Sequence, residues 1–176
     1  MALSHYAPRY TVEEYALWEG EWELWSGAPV AMSPSPGMVH QILAGRLFQK
    51  MNQALQNAGC RDCRAILDVD WRVDESNVFR PDLLVVCRHP LEAYVSRTPV
   101  FVSEILSDST RQRDLLYKRA IYEQLQVKYY LIIDPAGELT LLQREGERYR
   151  NHDSFKLALD EECEIALDLS GLFEDL

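Results

Sequence analysis

Phe79-Arg80-Pro81-Asp82-Leu83-Leu84-Val85-Val86 and Val100-Phe101-Val102-Ser103-Glu104-Ile105-Leu106 are the stretches whose reading decides the fold. Each is an apolar run that reads as a buried strand, and each carries one acid. Acids avoid such places unless they are paired or bound to a cation. Asp82 stands near the start of its strand, about residues 79–87, and Glu104 near the end of its own, about 99–106. A short connection makes these strands antiparallel neighbours, so the start of one lies beside the end of the next. The two carboxylates are therefore expected at one edge of the sheet.

Upstream, residues 65–73 alternate: Ala65, Leu67, Val69, Trp71 and Val73 face one way, Ile66, Asp68, Asp70 and Arg72 the other. That predicts a strand with one wetter face, on which Asp68 and Asp70 meet solvent. It completes a three-strand antiparallel meander. Downstream, Ser109-x-x-Gln112 matches a cap for a helix over about 110–125, and the apolar run Val127–Asp134 reads as a central strand stopped by Pro135. The unit 99–134 predicts a right-handed crossover between parallel strands.

Before the meander, Thr11-Val12-Glu13-Glu14 forms a capping box, and short strands at Trp22–Trp25 and Pro29–Met32 turn at Ser26-Gly27. Ser33-Pro34-Ser35-Pro36-Gly37 breaks the chain ahead of a helix over about 38–58. His40, Leu43, Ala44, Leu47, Met51, Ala54, Leu55 and Ala58 share one face of it, and Gly59 ends it. After Pro135 comes a hairpin turning near Glu145-Gly146, then short strands and a turn around Leu169–Leu176. No repeat or linker divides the chain, so one domain over 1–176 is expected, with a core at about 38–135 and a C-terminal β extension at about 136–176. The class is α/β: helix, three-strand meander, helix, strand, in a mixed sheet with β decoration at both ends.

On helix 110–125, Arg111, Asp114, Lys118, Ile121, Tyr122 and Leu125 lie within about 80° of one another. The apolar half of this stripe must pack on the sheet, which leaves its charged half facing a polar cavity at the sheet edge. Asp82 and Glu104 packed together would repel unless one stayed protonated. Mg²⁺ or Mn²⁺ resolves this, because hard cations take carboxylate oxygens and keep waters for a substrate phosphate. A cationic Lys118 could then stabilise transition-state charge or orient the attacking water. His40, at the head of its apolar stripe, and Glu23, between Trp22 and Leu24, are accessory candidates. Each residue also has a structural reading: Lys118 as the ion-pair partner of Glu104, Asp82 as a turn residue beside Pro81, His40 as a core histidine, Glu23 as an outward strand residue.

The bulk numbers constrain less. At 176 residues the chain can bury a real core, and its hydrophobic fraction of 47% is ordinary for a globular protein. No apolar run approaches the ~20 residues of a membrane span, and the first eight residues lack a secretory pattern, so a cytoplasmic location and no membrane partner are expected. A net charge of −10 argues against non-specific nucleic-acid binding. The acid excess is concentrated in residues 136–176, with 11 acids and 4 bases, whereas 107–128 holds five bases against three acids. Cys60 and Cys63 form C-x-x-C while Cys87 and Cys163 stand alone, which reads as ordinary reduced thiols rather than a zinc knuckle.

At these residues the sequence resembles the PD-(D/E)xK restriction-endonuclease-like superfamily, and within it the Uma family. The resemblance rests on an ordered set: Trp22-Glu23-Leu24 with Gly27; Met32-Ser33-Pro34-Ser35 with His40; Arg80-Pro81-Asp82-Leu83-Leu84-Val85-Val86; Val102-Ser103-Glu104-Ile105-Leu106-Ser107 with Asp114, Lys118 and Tyr122; and Val127-Lys128-Tyr129-Tyr130-Leu131-Ile132-Ile133-Asp134-Pro135. It implies a metal-dependent nuclease core with Asp82 and Glu104 as metal ligands and nucleic acid, DNA ahead of RNA, as the partner. Glu104 is followed by Ile105-Leu106 rather than x-Lys, and the family's usual answer, a lysine moved onto the following helix, is matched by Lys118. Ser26 stands where the family often has an acid before the glycine. The reading is a Mg²⁺- or Mn²⁺-dependent phosphodiester hydrolase using Asp82, Glu104, Lys118, His40 and Glu23. Its alternative is a nuclease fold kept as a non-catalytic binding or assembly module. A homodimer is left open.

Overall fold

A computed structural model describes residues 8–32, 37–107 and 111–176, with the side chains of Arg113 and Asp114 outside the description. The opening residues read for a leader, the breaker at 33–36 and the Ser109 cap fall outside the described residues.

The capping box at Thr11 starts α1 (Val12–Tyr15), and β1 (Trp22–Trp25) and β2 (Ala28–Ala31) form a hairpin. α2 (Met38–Asn57) ends as its sequence predicts: Gly59 adopts φ +69, its N–H reaches the Gln56 carbonyl, and the Cys60 N–H reaches that of Leu55. This is a Schellman closure, which satisfies the last helical carbonyls. Next come β3 (Cys63–Leu67), β4 (Trp71–Asp74), β5 (Asn77–Phe79), β6 (Leu83–Cys87) and β7 (Phe101–Ile105). A π-helical stretch, Arg113–Lys118, runs into α3 (Arg119–Gln124). The described elements finish with β8 (Tyr129–Asp134), β9 (Glu138–Glu145), β10 (Arg148–Asn151), β11 (Lys156–Asp160) and β12 (Cys163–Ala166).

Six strands form one mixed sheet in the order β10-β9-β8-β7-β6-β3, in which β7 and β8 are the parallel pair. The antiparallel meander is present as β3-β6-β7. It is not continuous in sequence, however. The expected strand 65–73 breaks at Asp68, whose φ of +48 is left-handed, a conformation that aspartate tolerates better than most residues. The expected strand 79–87 breaks at Arg80-Pro81-Asp82, where Pro81 has no N–H to give a ladder. β4 and β5 between these breaks leave the large sheet and join β1 and β2 in a second one, ordered β2-β1-β5-β4.

The large sheet is buried on both faces. On one, Leu83, Val85, Phe101, Ile105, Leu131 and Ile133 pack against Leu43, Leu47 and Met51 of α2 and against the β11–β12 hairpin. On the other, Leu84, Val86, Val102, Tyr130 and Ile132 meet Tyr122 of α3 and Trp71 and Phe79 of the small sheet. Each such side chain contributes about 1.5–3 kcal/mol when fully buried, so a one-residue slip of any central strand is prohibited. Among the described residues no helix is long and apolar enough to cross a membrane.

One expectation is corrected outright. The four cysteines are not reduced thiols: Cys60 is bonded to Cys163 and Cys63 to Cys87. Spacing along the chain hides this, because strand pairing sets Cys63 opposite Cys87 and the C-terminal hairpin carries Cys163 to the end of α2.

Candidate functional site

The β6–β7 register pairs Leu83 with Ser103, and one residue further Asp82 comes opposite Glu104. The Asp82 carboxylate, through Oδ2, accepts a hydrogen bond from the Ile105 N–H at 2.7 Å. Both acids therefore stand at the same edge of the sheet, where Glu104 meets Lys118 and Tyr122 and Asp82 meets His40 of α2. Two small clusters meet there.

The first is buried. Lys118 Nζ, arriving from the end of the π-helical stretch, donates to Glu104 Oε1 at 2.9 Å and lies 3.4 Å from Glu23 Oε1. Tyr122, one helical turn on, donates its hydroxyl to the same Glu104 oxygen at 2.6 Å. Glu23 in turn accepts from the Arg80 N–H at 2.7 Å. Glu23, Glu104 and Lys118 are 2–5% exposed, so Glu23 is not the outward strand residue its alternation allowed. Burial first, then the charges of Glu104 and Glu23, push the Tyr122 hydroxyl well above its ordinary range, so it remains a proton donor to Glu104. π-helical turns often occur at functional sites, and this one sets the phase in which Lys118 faces the two acids.

The second cluster is half open. His40 Nε2 lies 3.2 Å from Asp82 Oδ2. His40 thus leads the apolar stripe of α2 but reaches past the core to an acid. Asp68 lies beside this pair: burial raises its carboxyl, the negative charge of Asp82 raises it further, and His40 opposes both. Among the described residues, the hydrogen bonds to the Asp82 carboxylate all fall on Oδ2.

Asp68 is exposed, as its place on the wetter face predicts, whereas Asp70 corrects that expectation. Asp70 accepts from Arg80 Nε at 2.9 Å and from the Tyr15 hydroxyl at 3.1 Å, while Arg80 also pairs with Glu21. This network braces the Arg80-Pro81-Asp82 turn against β1, so the backbone N–H that holds Glu23 and the carboxylate that holds Ile105 are fixed two residues apart. All five residues singled out from sequence, Asp82, Glu104, Lys118, His40 and Glu23, are brought together. Asp68 was missed. The signal that could have found it is an acid where an alternating run must break to let the chain change sheets.

Asp82 comes opposite Glu104 across β6 and β7, and Asp68 stands close enough to Asp82 to feel its charge. Carboxylates are the ligands a hard divalent ion takes, although among the described residues the oxygens of these three acids do not gather into one three-ligand cluster.

Among solved structures, the chain resembles the crystal structure of a putative nuclease belonging to DUF820 from Anabaena variabilis ATCC 29413. The TM-score is 0.71 at 15% identity, over 93% of this chain and 97% of that one. At that identity the likeness speaks for the fold. A comparison with curated proteins gives no match. The sequence from residue 12 to residue 172 matches Uma2, described as "Putative restriction endonuclease", and with a match over that length the chain belongs to the Uma2 family.

Proposed function

We propose that the chain hydrolyses phosphodiester bonds of nucleic acid, DNA ahead of RNA, with Mg²⁺ or Mn²⁺ bound by Asp82 and Glu104. The observation that carries this reading is the bond from the Ile105 N–H to Asp82, which ties one acid to the peptide of the other. When bound, the ion offsets phosphate charge and lowers the pKa of a water. Asp68 adds a third carboxylate beside Asp82. Lys118 places its ammonium next to Glu104, where charge develops on a phosphoryl oxygen, and removing one such donor typically costs ~10²–10³ in rate. Glu23 shares that ammonium and orients it. His40 holds the Asp82 carboxylate, a positioning role, and Tyr122 does the same for Glu104.

The module reading has its own support: a net charge of −10, and a Glu104 oxygen already engaged by both Lys118 and Tyr122. One assay separates the two. Wild type and Asp82→Asn are incubated with DNA, RNA and a small phosphodiester, with and without Mn²⁺. Cleavage by wild type that needs Mn²⁺ and is lost in Asp82→Asn supports the hydrolase. Equal inactivity of both proteins on all substrates supports the module.

A further inference from the structure

Among the described residues seven large apolar side chains are exposed, and four of them stand one or two positions ahead of a site residue. Met38 and Val39 precede His40, and Leu116 and Tyr117 precede Lys118. Tyr117 is the one ring among them. It stacks on Trp25 at a centroid distance of 4.7 Å and an interplanar angle of 9°. Trp25 itself is buried, with the Phe79 ring 6.2 Å from it, so the stacked pair has a fixed base. With that face covered, a tyrosine still 48% exposed turns its other face to solvent. Glu23 and Trp25 are two positions apart on β1, so they share a face and stand about 6.6 Å apart along the strand. Glu23 faces Lys118 and Trp25 holds Tyr117, so consecutive residues of the π-helical stretch dock on that one face. The open ring therefore stands beside the carboxylate edge.

We propose that Tyr117 is a stacking platform for an unpaired base, and that the strand taken at this edge is single-stranded DNA. This substrate class rests on the hydrolase reading for what the carboxylates do to that strand. A planar ring held on one side and bare on the other accepts any base, because every base has a π-face. A duplex spends those faces on its own neighbours, so only an unstacked nucleotide can use the platform. Charge points the same way. The chain carries −10 overall, yet residues 107–128, in which Tyr117 lies, hold five bases against three acids. Arg119, two positions from the ring, is exposed. A single strand is thus met by a ring and a local basic stretch. A duplex, with one phosphate charge per ~1.7 Å of its axis, meets the acidic remainder of the surface as well.

The full chain is kept in EDTA, so that no strand is cut, and binding to fluorescein-labelled oligonucleotides is read by anisotropy. The probes are a single DNA strand, its duplex and an abasic strand of equal length. Wild type should prefer the single strand to both of the others. Stacking on one ring is worth a roughly 5- to 150-fold change in affinity. Tyr117→Ala should weaken single-strand binding by that factor and leave the abasic strand unaffected, while Tyr117→Phe, which keeps the ring, should bind like wild type. The abasic comparison on wild type needs no variant, so it stands even if Tyr117→Ala fails to fold. Equal affinity of wild type for the single and the abasic strand overturns the platform. So do unchanged single-strand binding in Tyr117→Ala, a preference for duplex, and the absence of any binding. A wild type that is dimeric in light scattering and becomes monomeric in Tyr117→Ala assigns the ring to a second copy of the chain, which overturns it too. Binding in EDTA requires neither metal nor turnover. Wild type that shows the stacking pattern yet cuts nothing with Mn²⁺ refutes the hydrolase reading alone, and wild type that cuts without the pattern refutes the platform alone.

Discussion

Lys118 is bonded to Glu104 through a 2.9 Å contact between side chains that are both almost wholly buried. Glu23 stands 3.4 Å from the same ammonium. One cation thus serves two acids withdrawn from water, and the arrangement makes Lys118 structural as well as available to chemistry. Removing one partner of a buried ion pair typically costs 3–5 kcal/mol, because the other charge is stranded. Lys118→Met keeps helix propensity and most of the apolar stem, so its effect should be electrostatic. We expect a loss of about 3–5 kcal/mol in urea denaturation, partly restored by Mg²⁺ and partly by adding Glu23→Gln, together with loss of cleavage. A variant as stable as wild type would remove the ion pair from the account of the fold.

Asp82→Asn tests the cation reading without disturbing the core. The amide oxygen can still accept from the Ile105 N–H, so the β6–β7 edge should hold. One like charge disappears beside Asp68 and Glu104, so the metal-free protein should melt at the same or a higher temperature. Mg²⁺ and Mn²⁺ binding, measured by calorimetry, should vanish. Binding equal to wild type would mean that the ion, if any, sits elsewhere.

The acid pair was legible because each carboxylate interrupts an otherwise apolar strand, and a strand order fixed by short connections left one edge for both. Lys118 and Tyr122 followed from the helical period of 110–125, since four residues return a helix to nearly the same face. What the chain did not disclose was the excursion of β4 and β5 into a second sheet. An alternating run looks the same whether it is one strand or two joined at a left-handed residue, and Asp68 is that joint. The consequence reached the site itself, because the break brings the still exposed Asp68 beside Asp82 and turns Asp70 from solvent onto Arg80. The cysteine pairing was equally hidden: Cys60 and Cys163 are 103 residues apart, and only the docking of the C-terminal hairpin joins them.

Asp68 gives a pH prediction with a definite sign. Its carboxyl is raised by burial first and by the charge of Asp82 second, so the folded protein holds this proton more tightly than the unfolded chain does. Stability from this group is therefore full below the ordinary carboxyl value of 3.8 and is lost as pH rises through the higher folded value. Asp68→Asn cannot ionise and escapes that loss. The variant should melt higher than wild type at neutral pH without metal, and the two should converge as the pH falls below 3.8. With Mg²⁺ the advantage at neutral pH should shrink, because the cation relieves the repulsion in wild type. Melting curves across pH, with and without Mg²⁺, check all three statements; an advantage that grows in acid would contradict the sign.

Tyr122 separates the bracing of Glu104 from its charge pairing. Its ring packs with Trp71, Phe79 and Tyr130 at centroid distances of 6.0, 6.1 and 5.3 Å, and phenylalanine would keep those contacts. Tyr122→Phe therefore removes little except the 2.6 Å hydrogen bond to Glu104 Oε1. A hydrogen bond to a charged group is typically worth about 1.5–3 kcal/mol, so urea denaturation should show a loss in that range, smaller than for Lys118→Met. Lys118 remains in place to hold the carboxylate charge, so Mg²⁺ binding should persist and should return part of the lost stability by taking over from the missing donor. Cleavage should fall through a less fixed Glu104 while staying above that of Asp82→Asn. If Tyr122→Phe instead matches wild type in stability and cleavage, the hydroxyl is not what positions Glu104, and its bracing falls to Lys118.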